Sequence, residues 1–222
     1  MTALILAGGR GSRLAPWHAP KCLLPVNGIP ILHRLLNHLL WTENGQPTLV
    51  ERAIICVGYR GSDVRASVSS LDLWERIQFS DAGLDAPMGK RLIEAGVSDR
   101  VLICYGDELA DVDVAALIGE HEETGAKVTF AVHLSRTAGG AVDMRADSGQ
   151  VRRIHDDALR LTNIGFAVVE PACWSLLQPS DGLSDWINRV AEDHFVRAHL
   201  HDGRRATVNS LADLQYAEEV WK

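Results

Sequence analysis

The sequence shows no pattern typical of a membrane-spanning segment or a signal peptide, and it has no excess of basic residues. No apolar run reaches the roughly 18 residues that a membrane-spanning helix needs, and the N-terminus shows no charged region followed by an apolar core and a cleavage site. The formal net charge is -7, whereas proteins that bind nucleic acids usually display a basic surface. We therefore expect a cytoplasmic protein without a membrane or nucleic-acid partner, in which any anion site is local.

Patterns of cysteine and histidine that are typical of disulfides or zinc sites are also missing. The four cysteines are far apart in sequence and form no CxxC pair: Cys22, Cys56, Cys104 and Cys173. We expect buried thiols in a reducing compartment rather than disulfides. The nine histidines form no HxxxH pattern. We expect His199 and His201, on one face of a predicted strand, to contact solvent rather than zinc.

Short apolar runs alternate with helical patterns along the first half of the chain. Apolar strands at 4–6 and 52–58 flank a segment at 31–40 in which apolar residues recur at helical spacing. This order predicts a βαβ unit with parallel strands. From residue 126 onward, strand patterns are joined by short turns, which indicates an antiparallel insertion. Strand patterns at 195–201 and 205–208, separated by an Asp-Gly turn, predict a final hairpin.

The size of the chain sets the number of domains. With 222 residues, of which 46% are hydrophobic, it is long enough for one sizeable core and short for two. We therefore predict a single α/β domain over residues 1–222, with a Rossmann-like, mixed but mostly parallel sheet flanked by helices.

The loop after the first strand has the composition of a phosphate-binding site. It contains three glycines and two arginines: Gly8, Gly9, Gly11, Arg10 and Arg13. Glycines let the backbone approach an anion closely and direct several N–H groups at it. Lys21, between Pro20 and a second apolar run, adds a compact cation of the kind that binds phosphate. A Walker loop and a dinucleotide-binding fingerprint have other spacings, which do not occur here.

A second candidate site follows the apolar strand at 100–104. Asp107 lies just beyond the predicted C-terminal end of this strand, where ligands bind in open α/β sheets. A single carboxylate together with substrate phosphates commonly holds Mg²⁺. Asp111 and Asp113 are instead expected to begin the next helix, where acidic residues are favoured electrostatically.

Three stretches resemble the sugar-1-phosphate nucleotidyltransferases. The motif AGGxGxRL at 7–14, followed by a Pro and by PKxLLPV at 20–26, is the signature of that family, with His18 as a mild departure. The run YGDELADVDVAALIGEH at 105–121 resembles the pattern YGDGxxDVxxxxLxxxH of glucose-1-phosphate cytidylyltransferases, with Glu108 in place of glycine. The run DAPMGKRLIEA at 85–95 resembles their TGGRLKR segment.

The resemblance implies the nucleotide-diphospho-sugar transferase fold, with a small antiparallel insertion that binds the sugar. Residues 1–125 would mainly bind a nucleoside triphosphate and residues 126–209 a sugar 1-phosphate. The implied catalytic residues are Arg13, Lys21 and Asp107, and the implied Mg²⁺ ligands are Asp107 and Asn209. The implied nucleotide-binding residues are Leu6, Ala7, Gly8, Gly9, Arg10, Gly11, Ser12, Arg13, Lys21, Met88, Gly89 and Gly106. The implied sugar-phosphate-binding residues are Gly140, Asp156, Asn163 and Gly165.

The acceptor side departs most from the family. Asp157 stands where the family has the lysine of a Glu-Lys pair, and either a nearby arginine replaces that charge or the acceptor differs. The arginines in question are Arg152, Arg153 and Arg160. Most members have an aspartate at the position of Asn209, but N-acetylglucosamine-1-phosphate uridylyltransferases have Asn there. The sequence is compatible with both a monomer and a homo-oligomer.

The expected function is an Mg²⁺-dependent condensation of a nucleoside triphosphate, with CTP favoured, and a sugar 1-phosphate. Two alternatives stay open: a catalytically silent domain of the same fold that senses a nucleotide or assembles with a partner, and transfer to a non-sugar phosphate or phosphonate. Molybdopterin guanylyltransferases share the AGG loop but place their lysine differently, so they fit this sequence less well.

Overall fold

The computed structural model describes residues 1–10, 19–41, 48–144 and 151–222, and for 136–144 and 151–159 it describes the backbone alone. The strands are β1 (Thr2–Leu6), β2 (Pro25–Val26), β3 (Ile29–Pro30), β4 (Arg52–Val57), β5 (Ile77–Asp81), β6 (Val101–Tyr105), β7 (Glu108–Ala110), β8 (Val128–Met144), β9 (Val151–Val169), β10 (Val196–His201) and β11 (Arg205–Thr207). The helices are α1 (Ile31–Leu40), α2 (Gly61–Val68), α3 (Met88–Glu94), α4 (Val114–Thr124), α5 (Leu183–Asp193) and α6 (Leu211–Val220), and short 3-10 helices span Lys21–Leu23, Trp74–Arg76 and Pro171–Leu176.

Seven strands form one twisted sheet in the order β10-β8-β9-β6-β1-β4-β5. β1 pairs in parallel with both β4 and β6, β4 pairs in parallel with β5, and β10 pairs in parallel with β8. β9 runs antiparallel to its neighbours β6 and β8. The predicted mixed, mostly parallel α/β sheet and the βαβ unit β1-α1-β4 are confirmed.

Helices cover both faces of the sheet because the inner strands are apolar on both sides. In β1, Ala3 and Ile5 pack into a cluster with side chains of α1, α2 and α4. Leu4 packs on the opposite face with side chains of α3 and α5. Parallel strands buried on both faces read as continuous apolar runs, which is why the sequence predicts them. Asp113 is the N-cap residue of α4, and its side chain accepts a hydrogen bond from the Ala116 amide at 2.9 Å.

The antiparallel part of the fold is the long hairpin β8–β9. Both of its strands belong to the main sheet, so the hairpin is not a separate small sheet. The two strands pair from Val128 and Val169 to Met144 and Val151, with irregularities along the way. The N-terminal half of β8 and the C-terminal half of β9 lie between β10 and β6. The C-terminal half of β8 and the N-terminal half of β9 pair with each other.

The predicted hairpin at 195–208 is wrong. β10 joins the main sheet beside β8, whereas β11 pairs antiparallel with β7 in a separate two-stranded sheet, here called the ribbon. The segment between the two strands contains Asp202 and Gly203, and this turn signal does not identify the partners. Strand patterns show that a segment is extended, whereas its partner depends on burial: Leu109, Ala206 and Val208 pack together under α6.

Two further expectations concern the cysteines and membrane-spanning helices. The four cysteines are free and buried, as predicted. In the described ranges, none of the helices has the length and apolarity that crossing a lipid bilayer requires.

Candidate active site

The first strand and the central strand β6 end side by side. Leu6 pairs with Tyr105 in the parallel register, so the loops that begin at Ala7 and Gly106 leave the same edge of the sheet. The Gly106 amide donates a hydrogen bond to the Leu6 carbonyl at 3.0 Å. A Cβ on Gly106 would lie 3.1 Å from the Leu6 oxygen, so glycine allows this close approach. Asp107 is therefore placed next to the glycine loop.

The Lys21 side chain contacts both predicted metal ligands, Asp107 and Asn209. Its Nζ lies 2.8 Å from Asp107 Oδ2 and donates a hydrogen bond to Asn209 Oδ1 at 3.1 Å. The lysine side chain is 12% exposed and that of Asp107 is 38% exposed, so the ammonium is shielded while the carboxylate still faces solvent. Residues from three distant parts of the sequence thus meet at one point, as the sequence predicts.

The pairing of the ribbon strands brings Asp107 and Asn209 close together. In its antiparallel register Glu108 pairs with Thr207, so the residue before β7 and the second residue after β11 lie at the same end. The Asn209 amide donates to Asp213 Oδ2 at 2.9 Å, and Ser210 caps α6 by accepting from the Asp213 amide. The chain therefore turns into α6 directly after Asn209.

An open pocket of about 400 Å³ lies beside these residues. It is lined by Leu6, Gly8, Gly9, Met88, Arg91, Tyr105, Asp107 and Leu183. Gly8 and Gly9 supply the backbone of the predicted phosphate loop, while Met88 and Leu183 form apolar walls. Predicted nucleotide-binding residues from two separate motifs therefore share one pocket with the predicted catalytic carboxylate.

Arg91 is a pocket residue to which the sequence gives no role in the site. Its buried guanidinium donates to three backbone carbonyls, those of Val57 at 2.6 Å, Leu84 at 3.0 Å and Ala86 at 3.0 Å. A Cβ on Gly8 would collide with this guanidinium. The glycine is thus needed for the approach of Arg91 as well as for any anion. A charged residue in a short helix is usually exposed, so the sequence around Arg91 does not indicate that its guanidinium is buried and hydrogen-bonded to carbonyls.

Gly89 and Arg10 make contacts that the motifs do not predict. A Cβ on Gly89 would collide with the Gln178 carbonyl, and the Gly89 amide donates to the Asp181 carbonyl at 2.9 Å. The Arg10 side chain forms an ion pair with Asp85 at 2.8 Å. The nucleotide-binding roles of Gly89 and Arg10 stay predictions.

Asn163 and Gly165 lie within β9, beside the C-terminal end of β6. Asn163 Oδ1 accepts from the Gly165 amide at 2.8 Å, and Gly165 has φ +74°. A Cβ there would also meet the Tyr105 ring. Asn163 lines a second pocket of about 170 Å³, which shares Leu183 with the first. The other lining residues are Phe130, Ala167, Ser184, Ile187 and Asn188.

Five predicted site residues lie outside the part of the chain in which side chains are described. Gly11, Ser12 and Arg13 lie outside the described residues. Gly140 and Asp156 lie in the outer part of the β8–β9 hairpin, where only the backbone is described. Their predicted roles stay predictions.

Burial and the Asp107 carboxylate disfavour further negative charge on the neighbouring side chains. Burial, followed by the charges of Asp107 and Glu108, raises the pKa of the Tyr105 hydroxyl. Burial and the Asp107 carboxylate raise the pKa of the Cys22 thiol to about 12. Both groups stay protonated at neutral pH, so neither is a nucleophile in this site.

The two histidines on β10 contact protein groups rather than solvent, which corrects the expectation. His199 Nδ1 lies 2.6 Å from Glu120 Oε2, and His201 Nε2 lies 3.2 Å from the Arg204 carbonyl. Both side chains are largely buried against neighbouring elements. Alternation along a strand does not show that a neighbouring helix covers that face.

Residues 3–208 match the model of the MobA-like NTP transferase domain. The chain belongs to this family. A glucose-1-phosphate cytidylyltransferase from Salmonella typhimurium is 27% identical, over all of this chain and 96% of the relative. These findings confirm the predicted nucleotidyltransferase family and its likeness to the cytidylyltransferases.

Solved structures share the fold of this MobA-like NTP transferase domain. HddC from Yersinia pseudotuberculosis superposes with a TM-score of 0.74 at 19% identity, covering all of this chain and 99% of that one. A UTP-bound UGPase from Acinetobacter baumannii superposes with a TM-score of 0.71 at 15% identity, covering 99% and 92%. The predicted fold class is confirmed.

Proposed function

We propose that the protein is a sugar-1-phosphate nucleotidyltransferase, which condenses a nucleoside triphosphate and a sugar 1-phosphate into a nucleotide sugar and pyrophosphate. The observation that carries this proposal is the contact of Lys21 with both Asp107 and Asn209 beside the glycine loop. The full-length relatives named glucose-1-phosphate cytidylyltransferase support the same reaction, with CTP as the nucleotide.

The two adjoining pockets divide the substrates. The pocket of about 400 Å³ contains the glycine loop and the apolar walls, and takes the nucleotide. The pocket of about 170 Å³ contains Asn163 and takes the sugar. Its lining residues are neutral, which suits a polyhydroxylated ring. In this division residues 1–125 mainly bind the nucleotide and residues 126–209 mainly bind the sugar phosphate, within one domain.

The reaction needs no catalytic base. A phosphate monoester has a second pKa of about 6, so the sugar 1-phosphate is largely dianionic at neutral pH. One of its oxygens attacks the α-phosphorus, the bond from that phosphorus to the bridging oxygen breaks, and pyrophosphate leaves with the electron pair. The protein has to position the two reactants and stabilise charge.

The side chains of this site supply that positioning. The Lys21 ammonium, shielded from water, contacts the α-phosphate and the attacking oxygen and reduces their repulsion. The backbone of Gly8 and Gly9 holds the triphosphate, and Arg13, by its place in the motif, braces the β- and γ-phosphates. Arg91 fixes the position of the strand end and of the loop before α3.

The donor groups at Asp107 and Asn209 fit Mg²⁺. A carboxylate oxygen and an amide oxygen lie within hydrogen-bond distance of the same lysine nitrogen, so both reach one point. Mg²⁺ prefers oxygen ligands and is commonly bound by one or two carboxylates with substrate phosphates. Within the described ranges no cluster of three or more His, Cys, Asp or Glu residues offers a competing site. A bound Mg²⁺ would offset negative charge on the phosphates.

Pyrophosphate release tests the proposal. CTP, UTP, dTTP, GTP and ATP are each combined with a set of sugar 1-phosphates in the presence of Mg²⁺, and CTP with glucose 1-phosphate is expected to react fastest. Asp107→Asn should abolish release, whereas Asp72→Asn, at an exposed turn, should not. Nucleotide binding without release across the whole panel would contradict the proposal and support the nucleotide-sensing alternative.

A further inference from the structure

A buried polar cluster lies directly behind Asp107 on the ribbon. It consists of Glu108, Arg205 and Thr207, and is here called the ribbon cluster. Glu108 follows Asp107 in the chain, and its cross-strand partner Thr207 is two residues before Asn209. The cluster is therefore next to both candidate magnesium ligands, while Lys21 contacts those ligands rather than the cluster.

The three side chains satisfy one another. Arg205 Nε donates to Glu108 Oε1 at 2.6 Å, and the Thr207 hydroxyl lies 2.8 and 2.9 Å from the two carboxylate oxygens. Arg205 also donates to Thr207 Oγ1 at 2.7 Å. The Glu108 side chain is 6% exposed and that of Arg205 is 15% exposed. A buried carboxylate is stable only when it is paired and hydrogen-bonded, so the cluster has one favourable arrangement.

This arrangement fixes the register of the ribbon. Each strand has only three residues, and a two-stranded sheet of that length is marginal without side-chain contacts. A slip by one residue would turn every side chain to the opposite face. The hydrogen bonds of Glu108 would then be lost, and Leu109 and Ala206 would leave the apolar cluster under α6.

The register in turn sets the distance between Asp107 and Asn209, because both lie at the same end of the ribbon. Arg205 also donates to the Ser135 hydroxyl at 3.3 Å and so ties the ribbon to β8. The outer half of β8 is part of the hairpin that carries the proposed acceptor side. Glu108 is also the position at which the sequence departs from the pattern YGDGxxDV, so the resemblance does not account for this cluster.

We propose that the ribbon cluster is a positioning device, in which Glu108, Arg205 and Thr207 hold Asp107 and Asn209 at the separation that one Mg²⁺ requires. This inference rests on the proposed function. Residues that orient metal ligands from behind typically change metal affinity or activity by about 10- to 100-fold when they are replaced. The cluster should therefore affect metal binding and kcat more than nucleotide KM.

Thr207→Val is the central test variant, because it removes the hydroxyl but keeps the shape and the Glu108–Arg205 ion pair. Thr207→Ser restores the hydroxyl, and Glu108→Gln serves as a second, more severe change. Arg204→Met is the matched control, because it removes an arginine beside the ribbon whose ion-pair partner is Asp111 and not a member of the ribbon cluster.

Two readouts are measured: Mn²⁺ affinity from the electron paramagnetic resonance signal of free Mn²⁺, and steady-state kcat and KM for pyrophosphate release. Thr207→Val is expected to weaken Mn²⁺ binding and lower kcat by about 10-fold or more, with nucleotide KM within about 3-fold. Thr207→Ser should recover most of both losses, and Arg204→Met should match the wild type.

The outcomes separate this inference from the proposed function. If the wild type releases pyrophosphate and folded Thr207→Val has unchanged Mn²⁺ affinity and kcat, the positioning role is refuted while the enzymatic function stands. If the wild type releases no pyrophosphate but Thr207→Val still weakens Mn²⁺ binding, the enzymatic function fails and the positioning role is supported. A wild type that binds no Mn²⁺ would overturn both the metal site and the positioning role.

Discussion

The substitution Lys21→Met addresses the chemistry with the least change in shape. Methionine keeps the apolar stem of lysine and removes the ammonium that contacts Asp107 and Asn209. The Lys21 side chain is 12% exposed, so bulk water cannot replace its charge in the transition state. Removal of one charge-stabilising donor from such a site costs on the order of 3 kcal/mol, or roughly a hundredfold in kcat.

The cost to stability should be far smaller than the cost to the reaction. The partner carboxylate of Asp107 is 38% exposed, and ion pairs with such exposure contribute at most about 1 kcal/mol. For a domain of this size, that corresponds to a fall in the melting temperature of about 2–4 °C. The variant should therefore be folded and nearly inactive.

Steady-state pyrophosphate release with the preferred substrate pair measures the effect, with Lys222→Met as a control that removes an exposed lysine charge. The loss should appear mainly in kcat, because Lys21 contacts the reacting phosphate. A Lys21→Met protein that retains kcat within about 3-fold of the wild type would refute the assigned role, since a charge-stabilising donor is expected to contribute far more.

Three further predictions concern the fold. Gly89→Ala should destabilise the protein by about 1–3 kcal/mol, because its Cβ would collide with a backbone carbonyl, whereas Gly119→Ala, in open space on α4, should stabilise it by up to about 1 kcal/mol; chemical denaturation measures both. The native protein should resist thiol alkylation at pH 8, because all four thiols are buried and burial raises the pKa of two of them to about 12; rapid labelling before unfolding would contradict this. The hydrogen bond from His199 lowers the pKa of Glu120, so its contribution to stability is present above the ordinary pKa of 4.5 and is lost as the pH falls through the lower folded value. Glu120→Gln should therefore melt below the wild type at pH 6, and the difference should shrink as the pH falls through the lowered pKa of Glu120.

The predictable part of the site follows from strongly local patterns. Leu4 to Leu6 can only be a buried strand, and the glycines after it leave a loop at its end. Asp107 follows a second apolar strand, and parallel neighbours end at the same edge, so the two predictions converge. Asn209 has no such local signal. Its place in the site came from the family resemblance, and the ribbon that carries it depends on long-range pairing.

The parts that the sequence did not predict depend on contacts between distant segments. The pattern of β10 identifies a strand but does not show that it pairs with β8, and the turn after it favours the wrong partner. Nothing in the local sequence shows that Arg91 is buried, yet its guanidinium donates to carbonyls of two separate segments, β4 and the loop before α3. Side chains that fill such interior positions have no spacing rule, so only the assembled fold reveals them.

The position of the metal in a nucleotide complex tests the central claim most directly. Crystals are grown with Mn²⁺ and a non-hydrolysable CTP analogue, and anomalous scattering locates the ion. The account predicts one peak within about 2–2.5 Å of Asp107 and Asn209 oxygens, with the α-phosphate beside Lys21 Nζ. An ordered nucleotide whose phosphates and ion lie away from these three side chains would contradict it.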